Sequence, residues 1–185
     1  MVINNKQKSK SVYGPTPEQQ LIEKHTLSLL VDNEPGVLAR VIGLFSGRGY
    51  NIESLTVAEV SKSKNQSRMT IVSVGTPAVI MQIKHQLERL VPVHKVTDLT
   101  AEGPYVAREL ALIKVVGTGE KRIEALRSAN IFRARVVDST VESFVFEVTG
   151  SADKVDAFID LMRPLGMVNI SRTGSAAISR GKEAF

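Results

Sequence analysis

From residue 25 onward, apolar positions recur with periods of two or of about 3.6, and glycine, proline or polar clusters break the runs. Thr26, Leu27, Ser28, Leu29, Leu30 and Val31 alternate well enough to predict a strand beginning near His25, and Asp32-Asn33-Glu34-Pro35-Gly36 stops it. A helix is expected next, with Leu38, Val41, Ile42 and Phe45 on one apolar stripe. Asn33 or Glu34 is its expected cap. Pro35 suits the first helical position, where a missing N–H costs nothing. Gly47 and Gly49 end the helix, because glycine tolerates a left-handed C-terminal cap. Residues 50–60 read as a second strand whose apolar phase slips between Ile52 and Leu55, the mark of a bulge or of a strand touching something on both faces. A polar loop over 61–67 leads to a third strand over 68–74, with Met69 and Ile71 on one face and Val72 and Val74 on the other. Pro77 opens a second helix with the stripe Ile80, Ile83, Leu87 and Leu90, and 93–99 make a fourth strand.

The order is βαββαβ, and it repeats more faintly. A strand is expected over 108–116, a helix over 119–129 with Ile123 and Leu126 inward, and strands over 133–138 and 142–149. Phe144, Phe146 and Val148 alternate in the last of these. Ser151 caps a helix with Val155, Phe158, Ile159 and Met162 inward, and 167–171 close the unit. Two split βαβ units of this kind form a four-stranded antiparallel sheet with both helices on one face. The predicted fold class is therefore α+β, two ferredoxin-like domains in tandem. Residues 1–24 are expected as a flexible polar arm, 25–100 as the first domain, 101–107 as a linker, 108–175 as the second domain and 176–185 as a tail.

Composition changes this picture mainly by exclusion. The chain has 185 residues, 43% of them hydrophobic and 23% charged, with no Trp, so its cores must be largely aliphatic. There is no cysteine, which removes disulfides, thiolate metal sites and cysteine nucleophiles and suits a cytoplasmic location. No apolar run approaches the ~20 residues needed to span a bilayer, so no membrane partner is expected. Residues 1–24 lack the apolar region of a secretory signal and contain no Arg. The net charge of +5 raises nucleic acid as a partner, but the basic residues are spread along the chain and read as a solvated surface. His25, His85 and His94 fall in no HExxH or HxxxH spacing, and no metal is expected. Gly117-Thr118-Gly119 lacks the third glycine of a dinucleotide fingerprint and the Lys of a P-loop. No Gly-x-Ser-x-Gly elbow or acid/base carboxylate pair occurs. A small phosphate-ester enzyme of this fold needs an anion-binding Arg in the first turn, which here is acidic. No catalytic residue is expected.

The first strand-to-helix turn carries the remaining chemistry. The N–H groups of a helix's first turn have no intrahelical partner and lie at the positive end of its dipole, so a carboxylate is a natural ligand for them. Gly36 lets a ligand approach the backbone. A carboxamide, Asn33 or Asn51, can accept from an ammonium or donate to a carboxylate. Val37, Leu38 and Ile52 offer a small apolar lining. The set suits an α-amino acid with a branched aliphatic side chain, and a plain capped turn remains the competing reading.

The run from Val31 to Leu38, followed by Arg40-Val41-Ile42-Gly43-Leu44-Phe45, resembles an ACT domain, a ferredoxin-like module that binds amino acids. Arg48-Gly49-Tyr50-Asn51-Ile52-Glu53-Ser54-Leu55-Thr56-Val57 is similar to the signature of acetolactate (acetohydroxyacid) synthase small subunits. So are Ser67-Arg68-Met69-Thr70-Ile71, Gln82-Ile83, Gln86-Leu87, the run from Arg108 to Val115 and Ser179-Arg180-Gly181. The resemblance implies a regulatory subunit with no cofactor of its own. It would activate a catalytic large subunit that carries thiamine diphosphate, Mg²⁺ and FAD, and confer feedback inhibition by a branched-chain amino acid, usually valine. It also implies a homodimer through paired ACT domains. The effector would sit between Asn33, Gly36, Val37 and Leu38 of one copy and Asn51 and Ile52 of the other. Pro35 stands where some members carry Ser, and N–H groups beyond it remain for an anion. The rival, an amino-acid-responsive regulator that binds nucleic acid, would require a helix-turn-helix, and none is evident.

Overall fold

A computed structural model describes residues 21–182. The elements run β1 (Glu23–Asp32), α1 (Val37–Ser46), β2 (Ser54–Ser61), β3 (Gln66–Gly75), α2 (Pro77–Glu88), β4 (Val93–Asp98), α3 (Leu99–Glu102), β5 (Tyr105–Val116), α4 (Gly119–Phe132), β6 (Arg135–Ser139), β7 (Ser143–Gly150), α5 (Ala152–Met162), β8 (Met167–Arg172) and β9 (Ala176–Ser179). Two antiparallel sheets result, ordered β2-β3-β1-β4 and β6-β7-β5-β8, and β9 pairs with the first residues of β5. Both repeats thus have the ferredoxin-like strand order expected for an α+β chain.

Alternation explains the first core. Leu27, Leu29 and Val31 of β1 and Met69 and Ile71 of β3 point to one face and pack with Val37, Val41, Leu44 and Phe45 of α1 and Ile80, Ile83 and Leu87 of α2. The second core repeats this with Ala111, Ile113 and Val115 against Phe144, Phe146, Val148 and the inward residues of α5. All four expected residues of α5, Val155, Phe158, Ile159 and Met162, are buried there. The aromatic content differs: Phe146 meets Phe144 and Phe158 with ring centroids 5.4 and 6.1 Å apart, whereas the first core has only the Phe45–Tyr50 edge contact at 6.2 Å.

The structure departs from the sequence expectations at several places. Neither Asn33 nor Glu34 caps α1, and Pro35 is not its first residue. The chain turns through Gly36 at φ 86°, so α1 starts at Val37. That start puts Val37, Val41, Leu44 and Phe45 inward, and leaves Leu38 39% exposed. Strand β2 begins at Ser54 rather than residue 50: 50–53 run irregularly, although the Glu53 N–H already donates to the Val72 carbonyl of β3. In α4 the buried residues are Ala125, Ser128 and Ala129; Ile123 is exposed and Leu126 only partly covered. The stretch expected as a linker holds the one-turn α3, capped by Asp98, and the first residues of β5. Residues 176–179, expected in a tail, form β9. Of the arm expected over 1–24, residues 1–20 lie outside the described part, and Glu23 and Lys24 belong to β1.

The face of the first sheet away from α1 and α2 is also covered. Thr26, Ser28, Thr70 and Val72 are buried on it, and β9 packs against β1 there. The Tyr105 hydroxyl hydrogen-bonds Thr26 Oγ1 at 3.4 Å. Among the described residues no helix is long and apolar enough to cross a membrane.

Candidate functional site

The turn between β1 and α1 is built by its neighbours. The Asp32 N–H donates to the Pro92 carbonyl at 2.9 Å, and the Asn33 N–H to the Asn65 carbonyl at 2.8 Å. The Asn33 side-chain oxygen accepts from the Ser67 hydroxyl at 3.0 Å, which leaves the amide nitrogen, a donor, outward on an exposed residue. His94 Nε2 lies 2.6 Å from Asp32 Oδ1 on the outer side. The β2–β3 hairpin, through Asn65 (φ 50°) and Ser67, is therefore what fixes the turn. Gly36 carries the reversal. A Cβ there would meet nothing within 4 Å, so the space in front of it is open, and the position gives α1 no side-chain cap. By contrast α2 and α5 are capped by the hydroxyls of Thr76 and Ser151.

The six residues expected to form the site separate into three groups. Asn33 and Gly36 lie on the exposed turn, with Leu38 just beyond. Val37 is 3% exposed and its side chain belongs to the core, so only its backbone faces the turn. Asn51 and Ile52 lie elsewhere. Ser54 aligns with Val72, and Val72 with Thr26, whereas the turn leaves β1 at Asp32. Six residues of strand separate the two ends, about 20 Å at ~3.3 Å per residue. Within one chain, then, Asn51 and the turn stand at opposite ends of the sheet. Asn51 is exposed, its carbonyl accepts from the Ser73 hydroxyl at 2.7 Å, and Ile52 rests partly buried on the first core. The irregular 50–53 segment explains the slip in apolar phase. Sequence reasoning missed Asn65, Ser67 and Ser73, the residues that hold the two parts in place. A polar loop at 61–67 was visible, but its contacts with the turn depend on strand register.

Residues 27–95 match the family described as the small-subunit-like ACT domain of AHAS, and residues 108–181 match the small subunit of acetolactate synthase. A probable acetolactate synthase small subunit from Archaeoglobus fulgidus is 51% identical over 160 residues, which are 86% of this chain and 99% of that one. The chain belongs to the acetolactate synthase small-subunit family. The small subunit of Aquifex aeolicus is 47% identical over 86% of this chain and 82% of its own. The crystal structure of the small subunit from Thermotoga maritima superposes with a TM-score of 0.78 at 40% identity, covering 87% of this chain and 99% of that one. In this chain the first sheet with α1 and α2 is the ACT domain, and the turn at Asn33–Gly36 is its first strand-to-helix connection.

Proposed function

We propose that this chain is the non-catalytic regulatory subunit of acetolactate synthase. It activates a large subunit that carries thiamine diphosphate, Mg²⁺ and FAD, and it makes that enzyme sensitive to a branched-chain amino acid, valine first among them. The complex works in the cytoplasm, in valine, leucine and isoleucine biosynthesis.

One observation carries the effector reading. The two candidate half-sites stand at opposite ends of the ACT sheet, and β2, which begins beside Asn51, is one of its two edge strands, the other being β4. Antiparallel pairing of β2 with its twin in a second copy brings the Ser54 end of one strand to the Ser61 end of the other. That end lies beside Gln66 and Asp32, where the turn is. Exposed Val57 and Val60 on β2 suit burial in such a pair. The effector carboxylate then docks at the open, uncapped start of α1, with the Asn33 amide as a further donor. Asn51 of the other copy meets the ammonium, and Leu38 and Ile52 flank the side chain. Binding across the pair favours one pairing geometry, which the large subunit reads as lower activity.

Calorimetric titration of the purified chain with valine, leucine, isoleucine and D-valine tests this. Stereoselective binding of one branched-chain amino acid, with one site per half-dimer interface, is expected. Equal heats for D- and L-valine would refute an effector site.

A further inference from the structure

The sheet alignment contains a bulge where the two halves of the molecule meet. Arg172 at the end of β8 opposes Ala111, and Ala176 at the start of β9 opposes Arg108. Thr173, Gly174 and Ser175 therefore face only Glu109 and Leu110, one residue in excess. An extra residue bends a strand and re-aims its backbone. Here the bend presents the backbone of Ser175 to β2 of the ACT domain. Its N–H donates to Ser54 Oγ at 2.8 Å, and its carbonyl accepts from Thr56 Oγ1 at 3.0 Å. Gly174, at φ 80°, fits because it has no Cβ; one built there would stand 2.6 Å from Ser54 Oγ.

The other side of the bulge is anchored firmly to the C-terminal sheet. Thr173 exchanges hydrogen bonds with Leu110: its N–H donates to the Leu110 carbonyl at 3.0 Å, and its Oγ1 accepts from the Leu110 N–H at 3.1 Å. Arg172 bridges buried Glu109 and, at 2.6 Å, Asp156 of α5. A cleft of about 770 Å³ runs beside this junction, lined by Lys24, Glu53, Tyr105 and Asp153 among others. The two halves are thus not packed solidly around the bulge, and β2 and the bulge that it grips have room to move together.

Resting on the effector reading above, we infer that the bulge at 173–175, gripped by Ser54 and Thr56, is the coupling element that carries the state of the effector site to the C-terminal domain. Ser54, the first residue of β2, follows Asn51 by three residues and Ile52 by two. A ligand that draws Asn51 and Ile52 into a new position moves Ser54 and Thr56 with them. Both hydroxyls hold the backbone of one residue, so the displacement passes to Ser175, and through Thr173 and Arg172 to β5 and α5. Coupling of this kind is an equilibrium property and can be removed without removing binding.

The experiment uses the full chain reconstituted with its large subunit, and compares it with the double variant Ser54→Ala/Thr56→Val. Valine affinity is measured by calorimetry and feedback by the valine dependence of acetolactate formation. The expected result is a valine Kd within about threefold of the original chain, unchanged activation at zero valine, and at least a tenfold rise in the valine concentration for half-inhibition. Inhibition curves that superimpose while binding is retained overturn the inference. Loss of binding together with inhibition also overturns it, since Ser54 and Thr56 would then belong to the site itself. Failure of the original chain to bind any branched-chain amino acid is a distinct result, which refutes the effector reading and the inference with it. Should the double variant misfold, Thr56→Val alone, which keeps the side-chain shape and loses only the donor, is expected to give the same split at about threefold.

Discussion

The two strand-to-helix turns that open the repeats both use a positive-φ glycine and differ in where it stands and in what surrounds it. Gly36 at φ 86° stands just before α1, and Gly119 at φ 58° is the first residue of α4; neither helix has a side-chain cap, and a Cβ at either glycine would meet nothing within 4 Å. The ACT turn is held by side-chain hydrogen bonding between Asn33 and the β2–β3 hairpin. The second turn is closed down: the Gly117 N–H donates to the Glu142 carbonyl, and a Cβ on Gly117 would approach the Leu165 carbonyl to 3.3 Å. Between helix and next strand, the ACT half carries the irregular segment 47–53 with Asn51 and Ile52, whereas the second half passes from Phe132 to Arg135 with two residues between. One plan thus serves two ends. In the first half polar groups are left at both ends of β2; in the second the loops are short and the largely aliphatic core holds a cluster of phenylalanines.

That contrast in cores gives the largest expected effect. Phe146 is fully buried between Phe144 and Phe158. Phe146→Ala should destabilise the C-terminal half by about 3–5 kcal/mol. In hydrogen exchange, β5 and β7 should lose protection while β1 and β3 keep most of theirs. Uniform loss across both sheets would mean that the halves unfold as one unit and that the comparison has no energetic counterpart.

The matched glycines separate site from scaffold. Gly36→Asp and Gly119→Asp each place a Cβ and a carboxylate at a positive-φ residue with open space, so their local cost should be similar, about 1–2 kcal/mol. Only the first puts negative charge where the proposed effector carboxylate docks. It should weaken valine binding by about a hundredfold or more, ~2.7 kcal/mol, and leave activation of the large subunit intact. Gly119→Asp should bind valine within about twofold of the original chain. Equal losses in the two variants would remove the distinction between the turns. Asn51→Ala should have a smaller effect, about a tenfold loss of affinity, ~1.4 kcal/mol, read by the same titration.

Much of this was legible from local pattern. The inward residues of β1, β7 and α5 follow from period, and the turn at 32–36 from its glycine and proline. What failed were features set by contacts distant in sequence. Pro35 and Asn33 have the chemistry of a helix start, but Asn33 is committed to Asn65 and Ser67, so the reversal falls on Gly36. The run Ala176-Ala177-Ile178-Ser179 alternates too weakly to announce a strand, yet it pairs with β5 and covers the ACT sheet. The separation of Asn51 from the turn is implied by the resemblance, which puts Asn51 on a second copy; the register adds the distance, six residues of strand between the two ends.

The smallest effect concerns the connection between the halves. Glu102, in α3, has its carboxyl held below the ordinary value of 4.5. Burial acts against this, and hydrogen bonds from Lys84 at 2.6 Å and from the Asp98 N–H at 3.1 Å outweigh it. A carboxylate with a depressed folded-state pKa contributes stability that is present above its unfolded value and lost as pH falls through the folded one. The side chain is nearly half exposed, so solvent screens most of the interaction. Glu102→Gln should therefore change the urea midpoint little at about pH 7, and make its decline toward about pH 4 shallower than in the original chain. The same exchange at Glu124, paired with Arg127 on the exposed face of α4, is the surface control. If both substitutions flattened the curve equally, the acid sensitivity would belong to the general charge of the surface. A difference confined to Glu102 would place it at the junction where the ACT sheet hands over to β5.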